Sequence, residues 1–142
     1  AHVPEQEEAA ARNLLLELML AGQARCEARI RALAAAPPAP AVLGPSLAHC
    51  AGRGLEDCVR HLLQLRGDPE SRALRVRNGR VEMQLSDRTA LRIAAENGHV
   101  AVCQRLIAAG ASSIEALPAL RHLRSFGRLF EREASQIEKL LT

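Results

Sequence analysis

Apolar positions recur three and four residues apart over most of the chain, the spacing that lines one face of an α-helix. Pro4 followed by Glu5, Glu7 and Glu8 predicts a helix start, with proline in the first turn and acids at the positive end of the dipole. Leu14, Leu15 and Leu18 carry that helix to a stop near Gly22. A second helix is predicted over about residues 24–36, with Cys26, Ile30 and Leu33 inward and Arg25, Arg29 and Arg31 outward. Pro37, Pro38 and Pro40 end it and form a stiff extended connector.

The same arrangement then returns. Leu47, Cys50 and Gly54 open a short helix and turn, followed by Val59, Leu62 and Leu63 on a second helix. Leu91, Ala94 and Gly98 precede Cys103, Leu106 and Ile107; Leu120, Leu123 and Gly127 precede Ile137, Leu140 and Leu141. Leucine and an apolar or small residue three positions on share a helical face, the small ones letting a paired helix approach closely, and glycine supplies the positive φ of a tight helix stop. The opening leucines Leu15, Leu47, Leu91 and Leu120 stand 32, 44 and 29 residues apart. Helix pairs at such intervals signal a solenoid, in which each unit buries its apolar face by stacking on its neighbours.

The long interval contains a different pattern. From Ala73 to Leu85 the chain alternates: Leu74 and Val76, then Val81, Met83 and Leu85, point one way, and Arg75 and Arg77, then Arg80, Glu82 and Gln84, point the other. Asn78-Gly79 between the two runs is a type I′ hairpin signal. A two-residue turn there pairs Arg77 with Arg80, Val76 with Val81, and Arg75 with Glu82. The last pair is attractive, but two guanidinium groups opposed at the tip repel and contribute no stability.

Composition fits helices. Apolar residues make up 48% of 142, enough for a sizeable core, while aromatics are 1%, Phe126 and Phe130. A core without Trp or Tyr must be built from Leu, Ala and Ile, which suits helices more than a β-sandwich. The length suits one domain over residues 1–142. Because the sequence starts at Ala1 without Met, it reads as a piece of a larger protein. No stretch approaches the roughly 20 apolar residues of a membrane span, and no signal peptide is evident. The four cysteines, Cys26, Cys50, Cys58 and Cys103, fall on predicted helices, which suits reduced, buried thiols in a cytoplasmic setting.

Residues 88–111, RTALRIAAENGHVAVCQRLIAAGA, resemble an ankyrin repeat: Thr89-Ala90-Leu91 stands at the family's T-P-L, Ala94-Ala95 at its A-A, Gly98-His99 at its G-H and Gly110-Ala111 at its closing G-A. Residues 46–69 form a weaker copy with one extra residue near Cys58, and the pairs at both ends match in outline, as degenerate or capping repeats. The implied fold is an all-α, ankyrin-like helix-pair solenoid of about four units with an inserted β-hairpin at about 73–85. Arg92 departs from the pattern, standing where the family has a histidine that knits the turn to its neighbour. The resemblance implies protein binding along the finger tips and inner helices. The matching positions are Arg88, before the Thr, Glu96 and Asn97, before the Gly, Arg53 in the preceding unit, and Ser125 and Phe126 in the last.

Charge singles out the hairpin. Basic residues are 18 Arg and Lys139, and residues 72–92 hold six Arg against Glu82 and Asp87; that is +4 locally, leaving −1 for the rest of a +3 chain. Arginine pairs bidentately with carboxylates and is favoured at interfaces. Arg75, Arg77 and Arg80 are therefore read as a finger that recruits an acidic surface on another protein, against the plainer reading of a solvated, charged face. An exposed Phe126 would add an anchor.

Three alternatives remain, the plainest being a purely structural spacer. The size and composition also resemble the ankyrin part of bacterial ADP-riboxanase effectors, which recruits host caspases in the host cytosol; an adjoining transferase sequence would favour that. The Arg run could instead bind nucleic acid, against which stand the modest net charge and the lack of Tyr and Trp for base stacking. The chain carries no nucleophile-elbow, phosphate-loop, zincin or dinucleotide motif, so no enzyme active site and no cofactor are expected. His49, Cys50, Cys58 and His61 cluster without a C-x-x-C pair and read as packing rather than as a metal site, His99 as a turn histidine, and His2 as part of a frayed terminus. On the first helix Leu14, Leu15, Leu16, Leu18, Met19 and Leu20 cover more than one face, so it is expected to pack on an upstream domain or a partner chain.

Overall fold

A computed structural model describes residues 5–78, 80–127 and 130–142, apart from the side chains at 5, 76, 83 and 85. His2, Pro4 and Gly79, and the facing read for Val76, Met83 and Leu85, lie outside the described residues. The chain forms α1 (Glu5–Leu20), α2 (Gln23–Ala32) continued by a 3-10 turn (Leu33–Ala35), α3 (Pro40–Arg53), α4 (Glu56–Gln64), β1 (Arg72–Arg77), β2 (Arg80–Thr89), α5 (Ala90–Glu96), α6 (Val100–Ala108), α7 (Ala116–Ser125) and α8 (Glu131–Leu141).

The helices pack in two rows. In one, α1 lies on α3, α3 on α5 and α5 on α7; in the other, α2 lies on α4, α4 on α6 and α6 on α8. The opening leucines Leu15, Leu47, Leu91 and Leu120 are all buried. One apolar cluster runs from Leu14 to Leu141, built of Leu, Ala, Ile, Val and the four cysteines. Small residues let the rows close up. A Cβ on Gly52 of α3 would lie 2.7 Å from the Ile93 Cγ2 of α5, so the two helices meet over bare backbone.

Residues 46–69 repeat the backbone of residues 90–113 at a constant offset of 44. Gly54 and Gly98 both cap their helices at positive φ, 73° and 76°. The amide of Leu55 donates to Cys50 O at 3.0 Å and that of His99 to Ala94 O at 3.0 Å; further on, Gly67 N donates to Leu62 O at 2.9 Å and Ala111 N to Leu106 O at 3.0 Å. No residue is inserted near Cys58, contrary to expectation. Arg66, at φ 72°, takes the left-handed place that Gly110 fills in the other copy, so glycine was the wrong marker for that turn.

Two other boundaries differ. Gly22 is not a left-handed stop: at φ −73° and ψ 171° it is the extended N-cap of α2, and α1 already ends at Leu20. Pro40 belongs to α3 as its first residue, where a missing amide costs nothing, so the extended connector is shorter than the prolines suggest. Helix α1 is only partly covered: Leu14, Leu15 and Leu18 are buried, but Met19 is 36% and Leu20 88% exposed.

Candidate partner-binding surface

Strands β1 and β2 pair antiparallel, with Arg77 opposite Arg80 and Val76 opposite Val81, as the two-residue turn requires. Asn78 takes φ 52° in that turn. The next pairs are Leu74 with Leu85 and Arg72 with Thr89, so each step spans two residues on β1 and four on β2. Strand β2 bulges twice, and Arg75 does not face Glu82. Glu82 instead forms an ion pair with Arg77, 3.2 Å from its Nε, which corrects the expected pair and places a carboxylate beside the opposed guanidinium groups.

The hairpin does not stand clear of the helices. Strand β1 lies against α3, and β2 touches α5 and α1. Leu74 is buried beneath it. At its foot Ala90 N donates to Ser71 O at 2.9 Å. Arg72 donates to Asp87 O at 2.8 Å and to Glu115 Oε1 at 2.7 Å, tying the hairpin to the loop before α7. Arg75, Arg77 and Arg80 remain exposed, and Arg75 and Arg80 have no carboxylate partner among the described residues.

The other candidate residues divide into those left largely free and those engaged within the molecule. Arg88 is exposed and lies 3.8 Å from Glu96. Glu96, with its side chain 13% exposed, accepts from Arg92 Nε at 2.7 Å, and the Arg92 guanidinium also lies 3.8 Å from Asp87. Arg92 thus ties its turn by ion pairs where the family uses histidine, while Thr89 Oγ1 caps α5 by accepting from Arg92 N at 3.2 Å. Asn97 Nδ2 donates to Gly52 O at 2.9 Å, and His99 Nε2 donates to the same oxygen at 3.0 Å, so the imidazole carries its proton on Nε2. Arg53 donates to Leu18 O at 3.3 Å and Ala21 O at 3.4 Å, closing the end of α1. Phe126 is 63% exposed and stands edge-to-face with His122, ring centroids 4.8 Å apart. Ser125 Oγ donates back to His122 O at 2.6 Å.

Sequence reasoning missed the residues beneath the hairpin. Met19, Pro45, His49 and Ile93 line an open cleft of about 260 Å³ where α1, α3, β1 and α5 meet. Only the apolar excess of the first helix, which included Met19, hinted at it. The His49 Nε2 is buried without a hydrogen-bond partner. Burial, and then the charge of Arg53, hold its pKa below the ordinary value of 6.5.

All four cysteines are free and buried. The Cys50 thiol is pushed up by its contact with Cys58 and by burial, and burial pushes Cys103 up to about 12, so both favour the protonated form. Among the described residues no group of three or more His, Cys, Asp or Glu is disposed to hold a metal. No helix among them is long and apolar enough to cross a membrane.

The repeat skeleton of α5 and α6 combines the Thr89 cap, the Gly98 turn and the His99 tie. The ankyrin repeat family model matches residues 86–117. This segment is similar to an ankyrin repeat. The ankyrin repeat is a non-catalytic unit associated with protein–protein interaction. Comparison with curated proteins and with solved structures found no match to this chain.

Proposed function

We propose that residues 1–142 form one ankyrin-type solenoid of four helix pairs, and that it recruits a partner protein bearing an acidic patch. The stacked rows of helices and the shared core support the architecture. The observation that carries the function is the exposure of Arg75, Arg77 and Arg80 on a hairpin anchored beside the inner helices. Three guanidinium groups held on a short ribbon present a pre-ordered face to carboxylates, and ordering before contact lowers the cost of association. Arg88 extends this face, and Phe126 offers a separate apolar contact at the far end of the row. Arg53 and Asn97 contribute by tying neighbouring inner helices together, and Glu96 by pairing with Arg92 within α5.

An affinity pull-down with the whole chain, repeated with residues 73–85 shortened to a plain turn, tests the reading. The proteins captured by the unaltered chain are lost from the shortened one, while the helical circular dichroism is retained. Equal capture by both refutes the hairpin's role. Salt-steep binding to random duplex DNA would replace the protein partner with nucleic acid.

A further inference from the structure

The cleft lined by Met19, Pro45, His49 and Ile93 runs into a second one of about 400 Å³, lined by Arg75, Arg77, Arg88, Glu82 and Asp87. The two share Ala73, Leu74 and Ile93 as lining residues, so they adjoin as two halves of one groove beside the hairpin. Ile93 divides it, its Cγ2 pressed against the bare backbone of Gly52. One half is mostly apolar, with Leu15 and Ala48 in its lining beside the polar His49, Arg53 and Asn97, and it has no carboxylate.

The other half carries surplus positive charge. Its lining holds three arginines against two carboxylates; Glu82 lies 3.2 Å from Arg77, and Asp87 lies 3.8 Å from Arg92. Arg75 has no ion pair among the described residues, and Arg88 has only the 3.8 Å approach of Glu96.

We infer that this groove takes an extended segment of the partner protein in which an apolar side chain stands close to a carboxylate. The apolar side chain seats against Met19, Pro45 and Ile93, and the carboxylate is held by Arg75 and Arg88. An extended chain advances about 3.3 Å per residue, and the two halves share a wall, so the two side chains stand within about three positions of each other. The inference rests on the proposed recruitment of an acidic partner and adds to it an apolar anchor with a fixed order of chemistry. Neither part alone suffices: exposed ion pairs contribute little, whereas an apolar side chain leaving water supplies binding energy that charge then orients.

The test is selection of a random dodecapeptide display library on the whole chain. The enriched peptides carry Leu, Ile, Met or Phe within three positions of Asp or Glu. The synthetic consensus peptide binds Met19→Glu and Arg75→Glu each at least about tenfold more weakly than the unaltered chain, with helical circular dichroism unchanged in both variants. Acidic peptides without an apolar residue, bound equally by Met19→Glu, overturn the inference and leave the arginine face standing. Absence of any enrichment, or binding indifferent to both substitutions, overturns the inference and the recruitment reading together.

Discussion

Two neighbouring regions use the same polar groups to opposite ends. In the seam between α3 and α5, polar side chains serve contacts within the molecule, His99 and Asn97 sharing the Gly52 carbonyl; in the other row Arg105 of α6 reaches Glu56 of α4 at 2.9 Å. In the hairpin next to it, Arg75, Arg77 and Arg80 point to solvent, and only Arg77 has a carboxylate partner among the described residues. The seam joins residues more than 40 positions apart, and its polar contacts determine how one helix pair sits on the next. The hairpin is held at its foot, by Ser71, Arg72 and Leu74, and leaves its charged end free to meet something else. Stability and recognition are thus assigned to adjacent but separable sets of residues.

The largest effect is expected at the seam. Gly52→Val forces side-chain atoms into the space of Ile93, and overpacking of this kind costs about 1–3 kcal/mol. In a chain of this size that lowers Tm by several degrees, measured by thermal circular dichroism. His99→Ala comes next. It removes one of two donors to the Gly52 carbonyl and costs about 1 kcal/mol, read as a lower denaturant midpoint with an unchanged slope.

A smaller effect follows pH. His49 is held below its ordinary pKa of 6.5 in the folded chain, so the unfolded chain binds its proton first. Its contribution to stability is complete above about pH 6.5 and declines as the pH falls below that value. His49→Gln reduces the loss of stability between neutral pH and about pH 5 relative to the unaltered chain; an identical slope in both removes His49 from the account.

Much of this division could be read in the sequence, and the residues that escaped share a cause. Helix pairing, the buried leucines and the hairpin with its tip register follow from local periodicity and from Asn78-Gly79. The bulges in β2 do not, because nothing within residues 80–89 marks where the strand must lengthen to reach from the tip back to Thr89. Arg66 in a left-handed turn hid the true alignment of the two copies, since glycine was the cue for that turn. Arg53, Glu96 and Asn97 stand at positions where the family resemblance implies partner contacts, yet each is occupied within the molecule. For Arg53 and Asn97 the groups that engage them lie 32 to 45 residues away, on other helices. Residue type indicates that such a side chain must find partners, while only the packing of the rows decides whether those partners are inside or outside.

The separation of the two regions is tested most directly by charge reversal at the hairpin end alone. The chain carrying Arg75→Glu, Arg77→Glu and Arg80→Glu together is compared with the unaltered chain for melting temperature and for affinity toward a protein captured by the latter. Affinity falls by at least about tenfold, since like charges brought together at an interface cost several kcal/mol. The melting temperature stays within a few degrees, because exposed substitutions away from packed features change stability by about 0.5 kcal/mol or less each. A variant that melts far earlier, or that binds as tightly as before, contradicts the division.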